Sequence, residues 1–96
     1  MIMSRSEVRT EHASKYLTQL SKHWSHRFPD LTYNAERADI PLPNGPCILE
    51  AGPDHLRITL SGASEEGISR MEQVVADHLL RFAFREPLEI VWTREG

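Results

Sequence analysis

The sequence predicts an α+β fold: a two-layer sandwich in which two helices cover one face of a mainly antiparallel sheet. Three observations predict it. Two stretches carry apolar residues at three- and four-residue steps, four shorter ones alternate apolar with polar residues, and the signals follow one another as β-α-β-β-β-α-β. With 96 residues there is room for one core and no second domain, so residues 1–96 form a single unit.

After a polar lead, Glu7-Val8-Arg9-Thr10 reads as a short strand with Val8 facing inward. From His12 to Phe28 the residues Ala13, Tyr16, Leu17, Leu20, Trp24 and Phe28 fall on one helical stripe. Thr10 is placed to cap this helix, Glu11 to complement its positive end, and Pro29 to stop it. Leu31 to Leu42 reads as extended. The turn Pro43-Asn44-Gly45-Pro46 follows, its Asn-Gly pair tolerating the positive φ angles of a tight hairpin.

The returning strand, Cys47 to Ala51, sets Cys47, Leu49 and Ala51 on one side, and Gly52-Pro53-Asp54 turns the chain again. In His55 to Ser61, Leu56, Ile58 and Leu60 oppose Arg57, Thr59 and Ser61. Ser64 caps the second helix, Glu65 and Glu66 fill its first turn, and Ile68, Met71, Val75, Leu79 and Phe82 form its apolar stripe. Pro87 ends it at the latest, and Leu88, Ile90 and Trp92 alternate with Glu89, Val91 and Thr93 in a closing strand.

Charge and composition exclude several function classes. Eleven Lys and Arg residues against 14 Asp and Glu leave a net charge of −3, which gives no attraction to nucleic acid or anionic lipid. No run approaches the roughly 20 apolar residues that span a bilayer, and no apolar stretch backs the arginine near the start. Cys47 is the single cysteine, so an intramolecular disulfide is impossible and a reducing, cytoplasmic setting is expected. A domain this small spares few apolar residues for a deep cavity, so a site should be shallow or shared between subunits.

The candidate site follows from a count of strands. If the three middle strands form a simple meander, the two helices run parallel and their C-terminal ends meet. That would gather Lys22, His23, His26 and Arg27 with His78, Arg81 and Arg85, a set able to bind a carboxylate or phosphate through forked, charge-assisted bonds. An extra reversal within residues 31–42 would undo this meeting. His23 and His26 share a flank of the first helix, and with His78 or Cys47 they are a candidate metal set. The plain alternatives are packed or solvated histidines, a buried core cysteine, and basic residues placed by helix dipoles. The uncovered sheet face should show Glu7, Arg9, Arg57, Thr59, Glu89 and Val91, which meets either water or a second subunit. There is no glycine-rich phosphate loop, nucleophile elbow or carboxylate pair spaced for acid/base work, so an enzyme is not the leading expectation.

The segments Tyr16-Leu17-Thr18-Gln19-Leu20-Ser21-Lys22-His23-Trp24-Ser25-His26 and Val74 through Glu86, with Gly45-Pro46-Cys47 entering a hairpin strand, resemble the uncharacterised bacterial domain-of-unknown-function family DUF2218. The resemblance implies no assigned activity or catalytic residue. It does imply an association with siderophore-interacting flavin reductases, and so with iron uptake. The expectation is therefore a non-enzymatic binding or accessory domain whose ligand is a small acidic molecule or an iron chelate. The alternatives are a metal-binding protein or metal-dependent enzyme using His23, His26 and His78, and a structural, homodimerising partner domain.

Overall fold

The computed structural model describes residues 1–95. Its elements are β1 (Ile2–Arg9), α1 (Ala13–Ser25), β2 (Thr32–Tyr33), β3 (Arg37–Leu42), β4 (Gly45–Ala51), β5 (His55–Gly62), α2 (Glu65–Phe82) and β6 (Thr93–Glu95). The strands form one six-stranded antiparallel sheet in the order β2-β3-β4-β5-β1-β6. Both helices lie on the same face, as the sequence predicts for this α+β sandwich.

Register explains the core. Val8 pairs with Leu56, Ile58 with Leu49, Leu60 with Cys47, and Cys47 with Ile40, so one apolar row after another crosses the sheet on a single face. Leu17, Leu20 and Trp24 of α1 and Ile68, Met71, Val75 and Leu79 of α2 close over that face, all buried. Each large apolar side chain enclosed in this way contributes about 1.5–3 kcal/mol relative to remaining in water.

β1 begins well before its apolar signal, because between Ile2, which packs against the core, and Val8 its inward positions are Ser4 and Ser6 rather than hydrophobic residues. Ser4 donates to Glu72 of α2 at 2.6 Å. The first helix starts after Thr10, whose hydroxyl accepts from the His12 amide at 3.0 Å. Glu11 lies before the first turn, and α1 ends at Ser25, with Arg27 and Phe28 amides turning back to the Trp24 carbonyl. Ser64 caps α2 as expected, accepting from the Gly67 amide at 3.0 Å.

The stretch 31–42 contains the extra reversal. Asn34 Oδ1 accepts from the amides of Glu36 and Arg37 at 2.8 and 2.9 Å, turning the chain between β2 and β3. Four strands instead of three therefore separate the helices, and an even number reverses the second helix. The two helices are antiparallel: Tyr16 near the start of α1 meets Glu86 beyond the end of α2, while Arg27 and Phe28 beyond α1 lie beside Arg70 and Met71 early in α2. The expected meeting of C-terminal ends does not occur.

In the β3–β4 hairpin the two linking residues are Pro43 and Asn44, and the positive φ falls on Gly45 alone (144°). A Cβ there would sit 1.9 Å from the Ser61 carbonyl oxygen, so the position admits only glycine. Leu88, Ile90 and Trp92 are half-buried against the core and alternate with exposed Glu89 and Val91, but ladder pairing starts only at Thr93. Among the described residues no helix is long and apolar enough to cross a membrane.

Candidate functional site

Although the helix ends diverge, the antiparallel crossing brings several nominated residues together flank to flank. The rings of His23 and His78 have centroids 5.0 Å apart, Trp24 and His78 5.2 Å, and His23 and Phe82 5.9 Å. The stagger of the antiparallel helices makes this possible: Phe82, the last residue of α2, lies against His23, so the C-terminal turns of the two helices overlap while the first half of α2 runs on past the end of α1. His78 Nδ1 lies 2.7 Å from the Val74 carbonyl oxygen. A carbonyl only accepts, so this nitrogen carries the proton and Nε2 remains as the acceptor in the neutral ring. His23 titrates below the ordinary histidine value, first because its ring is partly desolvated, although the residue is exposed at the surface, and then because of His78, Arg81 and His26.

Beside this pair runs a groove of about 270 Å³ between the end of α1, the first half of α2 and the β3–β4 hairpin. Trp24, Phe28, Leu42 and Met71 supply its apolar wall, and Arg27, Arg70, His23 and His78 its polar rim. The Arg27 guanidinium lies 5.9 Å from the Phe28 ring centroid, and among the described residues it has no carboxylate at ion-pair distance. Arg70 is held by Glu66 at 3.2 Å, an exposed helical pair that a ligand anion can compete for.

The remaining candidates are dispersed. Lys22 and His26 join Gln19, His23 and Phe82 on an open surface flanking the groove. Arg81 acts on His23 only through its charge, and Arg85 turns to the Phe84 ring, 5.3 Å away, at the far end of α2. Cys47 is fully enclosed in the core, where burial alone pushes its thiol up to about 12. It sits under the helices as a small core residue. Among the described residues no group of three or more His, Cys, Asp or Glu side chains is placed to hold a metal ion.

Sequence reasoning missed the hairpin wall of the groove, Leu42, Pro43 and Asn44, and with it Arg70 and Met71. Parallel helices would have put α2's first half at the other end of the domain. It also missed Asp54 and His55, whose carboxylate and imidazole nitrogen stand 2.9 Å apart. The ring lies so close over Gly52 that a Cβ there would come within 2.7 Å of it. This pair borders a wider depression of about 560 Å³ on the other side of the sheet, shared with Glu7, Arg9, Pro87, Glu89 and Val91. Its three carboxylates repel an anion, whereas the α1–α2 groove presents cations and aromatic rings.

A solved structure from Pseudomonas aeruginosa, the NMR structure of PA4090, is similar to this chain over nearly the full length of both. It covers 97% of this chain and 96% of that one at 43% identity, with a TM-score of 0.81. No curated protein gave a significant match. The family model described as an uncharacterised protein conserved in bacteria, DUF2218, matches residues 5–93. That span includes both helices and the whole sheet except the outer ends of β1 and β6, so the chain belongs to the bacterial family DUF2218.

Proposed function

We propose that this protein is a non-enzymatic binding domain for a small anionic aromatic molecule of the hydroxyaryl class that chelates ferric iron, seated in the α1–α2 groove. The observation that carries the reading is the packed trio of tilted rings Trp24, His78 and His23 beside an Arg27 guanidinium with no carboxylate partner among the described residues. A flat ring gains contact with the aromatic wall, and a carboxylate or phenolate gains a forked bond to Arg27 or Arg70. The volume of about 270 Å³ lies near the lower end of small-molecule sites, which suits one ring system rather than an extended chain. The association with siderophore-interacting flavin reductases implied by the family resemblance supplies the iron chemistry.

Titration with 2,3-dihydroxybenzoate, followed by NMR, tests this directly. Shifts should concentrate on His23, Trp24, His78 and Arg27, and the variant Arg27→Gln, Arg70→Gln should bind at least about tenfold more weakly, the loss expected for a charge-assisted pair. Absence of any shift at millimolar ligand in the folded wild type overturns the proposal.

A further inference from the structure

The sheet face opposite the helices carries an ordered charge pattern. Across β3, β4, β5 and β1, one outward row reads Arg37, Glu50, Arg57, Glu7, and the next reads Asp39, Ile48, Thr59, Arg5. Both rows change sign when read backwards. The first is plus, minus, plus, minus; the second is minus, neutral, neutral, plus.

Pairing within the chain explains part of the first row, where Arg57 holds Glu7 at 3.0 Å and Arg37 approaches Glu50 at 4.0 Å. In the second it accounts for Asp39 alone, whose carboxylate is held by Arg37 of the other row at 3.2 Å. Asp39 and Arg5 are three strand spacings apart, roughly 14 Å, and cannot meet. Arg5 has no carboxylate at ion-pair distance among the described residues. The match between opposite ends of that row serves nothing inside one molecule.

We propose that this face is the interface of a symmetric homodimer, two copies stacked sheet to sheet about a two-fold axis that runs along the strands between β4 and β5. Such an axis turns each row end for end on the facing copy. Arg37 then meets the partner's Glu7, Glu50 the partner's Arg57, and Asp39 the partner's Arg5. Ile48 faces the partner's Thr59, a small residue in a trough of about 400 Å³ lined also by Arg5, Glu7, Glu50 and Arg57. An apolar knob thus enters a hole rimmed by charge.

Four strands and about seven residues of length offer roughly 450 Å² per copy. A standard stable interface buries about 800 Å² per partner, so this dimer is weak, held by charge and sensitive to salt. The groove between the helices lies on the opposite face and stays open in the dimer, so the inference stands independently of the proposed ligand.

Sedimentation equilibrium of the full chain, at about 20 mM and about 0.5 M salt, tests it. The wild type should dimerise with concentration at low salt and dissociate at least tenfold more readily at high salt. Arg5→Glu should give a monomer, since it sets two carboxylates against each other while leaving every ion pair within the chain intact. Adding Asp39→Arg, which gives up the Arg37–Asp39 pair within the chain while Arg37 keeps Glu50 beside it, should restore the dimer. A two-fold axis running across the strands would not allow that rescue, because each reversed charge would then face its own sign, at Arg37 and at Glu7 of the facing copy. Amide NMR spectra confirm that each variant is folded. A wild type that stays monomeric at millimolar concentration and low salt, a dimer indifferent to Arg5→Glu, or a folded double variant that remains monomeric would each overturn the proposal.

Discussion

The imidazoles of His23 and His78 stand 5.0 Å apart where two antiparallel helices cross. One proton therefore opposes the next. Partial desolvation first, and then His78, Arg81 and His26, holds the exposed His23 below the ordinary histidine value, so the folded state binds fewer protons than the unfolded chain between the two values. Stability from this group is present above about pH 6.5 and is lost as the pH falls through the lowered value. Melting temperature should drop as the pH is taken from 7 to 5, and His23→Asn should flatten that limb. In ring-proton NMR titrations, His78→Asn should raise the His23 midpoint without restoring it fully, because the partial desolvation and the charges of Arg81 and His26 remain.

Much of this arrangement was legible in the sequence, and the failure has one physical origin. The stripes through Leu17, Leu20 and Trp24 and through Ile68, Val75 and Leu79 identify both helices and their buried faces, since periodicity directly encodes one-sided packing. Helix direction depends instead on the parity of intervening strands. That parity turned on β2, two exposed residues with no apolar alternation, and on a reversal made by the Asn34 side chain. An asparagine able to bond the amides two and three residues on was the available signal. The cluster His23–His78 survives the wrong direction because the antiparallel helices are staggered and overlap along their C-terminal turns, whereas Arg27 and Arg85, beyond those turns, end at opposite rims.

Cys47 should be chemically silent in the native protein. Its side chain is fully enclosed, and burial pushes the thiol up to about 12, so almost no thiolate exists at neutral pH. A disulfide reagent should label it only after denaturant is added, at the rate of global unfolding or through rare opening. Cys47→Ser should cost about 1–3 kcal/mol in urea titrations, the cost of an unpartnered buried hydroxyl. Rapid labelling without denaturant would contradict this placement.

Gly45 tests the hairpin. Its φ of 144° and the 1.9 Å approach of an added Cβ to the Ser61 oxygen make any side chain clash with the backbone of β5. Gly45→Ala should lower stability by about 1–3 kcal/mol from backbone strain alone, with the steric conflict added. The groove should suffer too, because Leu42, Pro43 and Asn44 form its wall. A variant with wild-type melting temperature would show that the hairpin adopts another turn.

Glu72 ties three elements together. It accepts from Ser4 of β1 at 2.6 Å and binds Arg94 of β6 through two bonds, at 3.0 and 2.8 Å, while the Arg94 guanidinium also donates to Ser69 at 2.8 Å. The Arg94 pair, and secondarily the Ser4 hydroxyl, hold the Glu72 carboxyl below the usual carboxylate range against the opposing effect of burial. Its folded value is thus depressed, so its stabilisation is present above the unfolded carboxylate value and is lost as the pH falls through the folded one. Glu72→Gln should cost about 1–3 kcal/mol at pH 7, the effect of weakening a buried charge-assisted network whose arginine end is partly solvated. It should also remove part of the acid-induced loss of stability below about pH 4.5. Three residues of β6 make a short ladder, paired to β1 only at Met3, Ser4 and Arg5. Without the Glu72 anchor its amides should exchange with solvent markedly faster, while those of β4 and β5 at the centre of the sheet should be affected only through the change in global stability. Unchanged exchange at Thr93, Arg94 and Glu95 in the variant would mean that backbone pairing alone secures β6, and that the buried carboxylate acts only on α2 and β1.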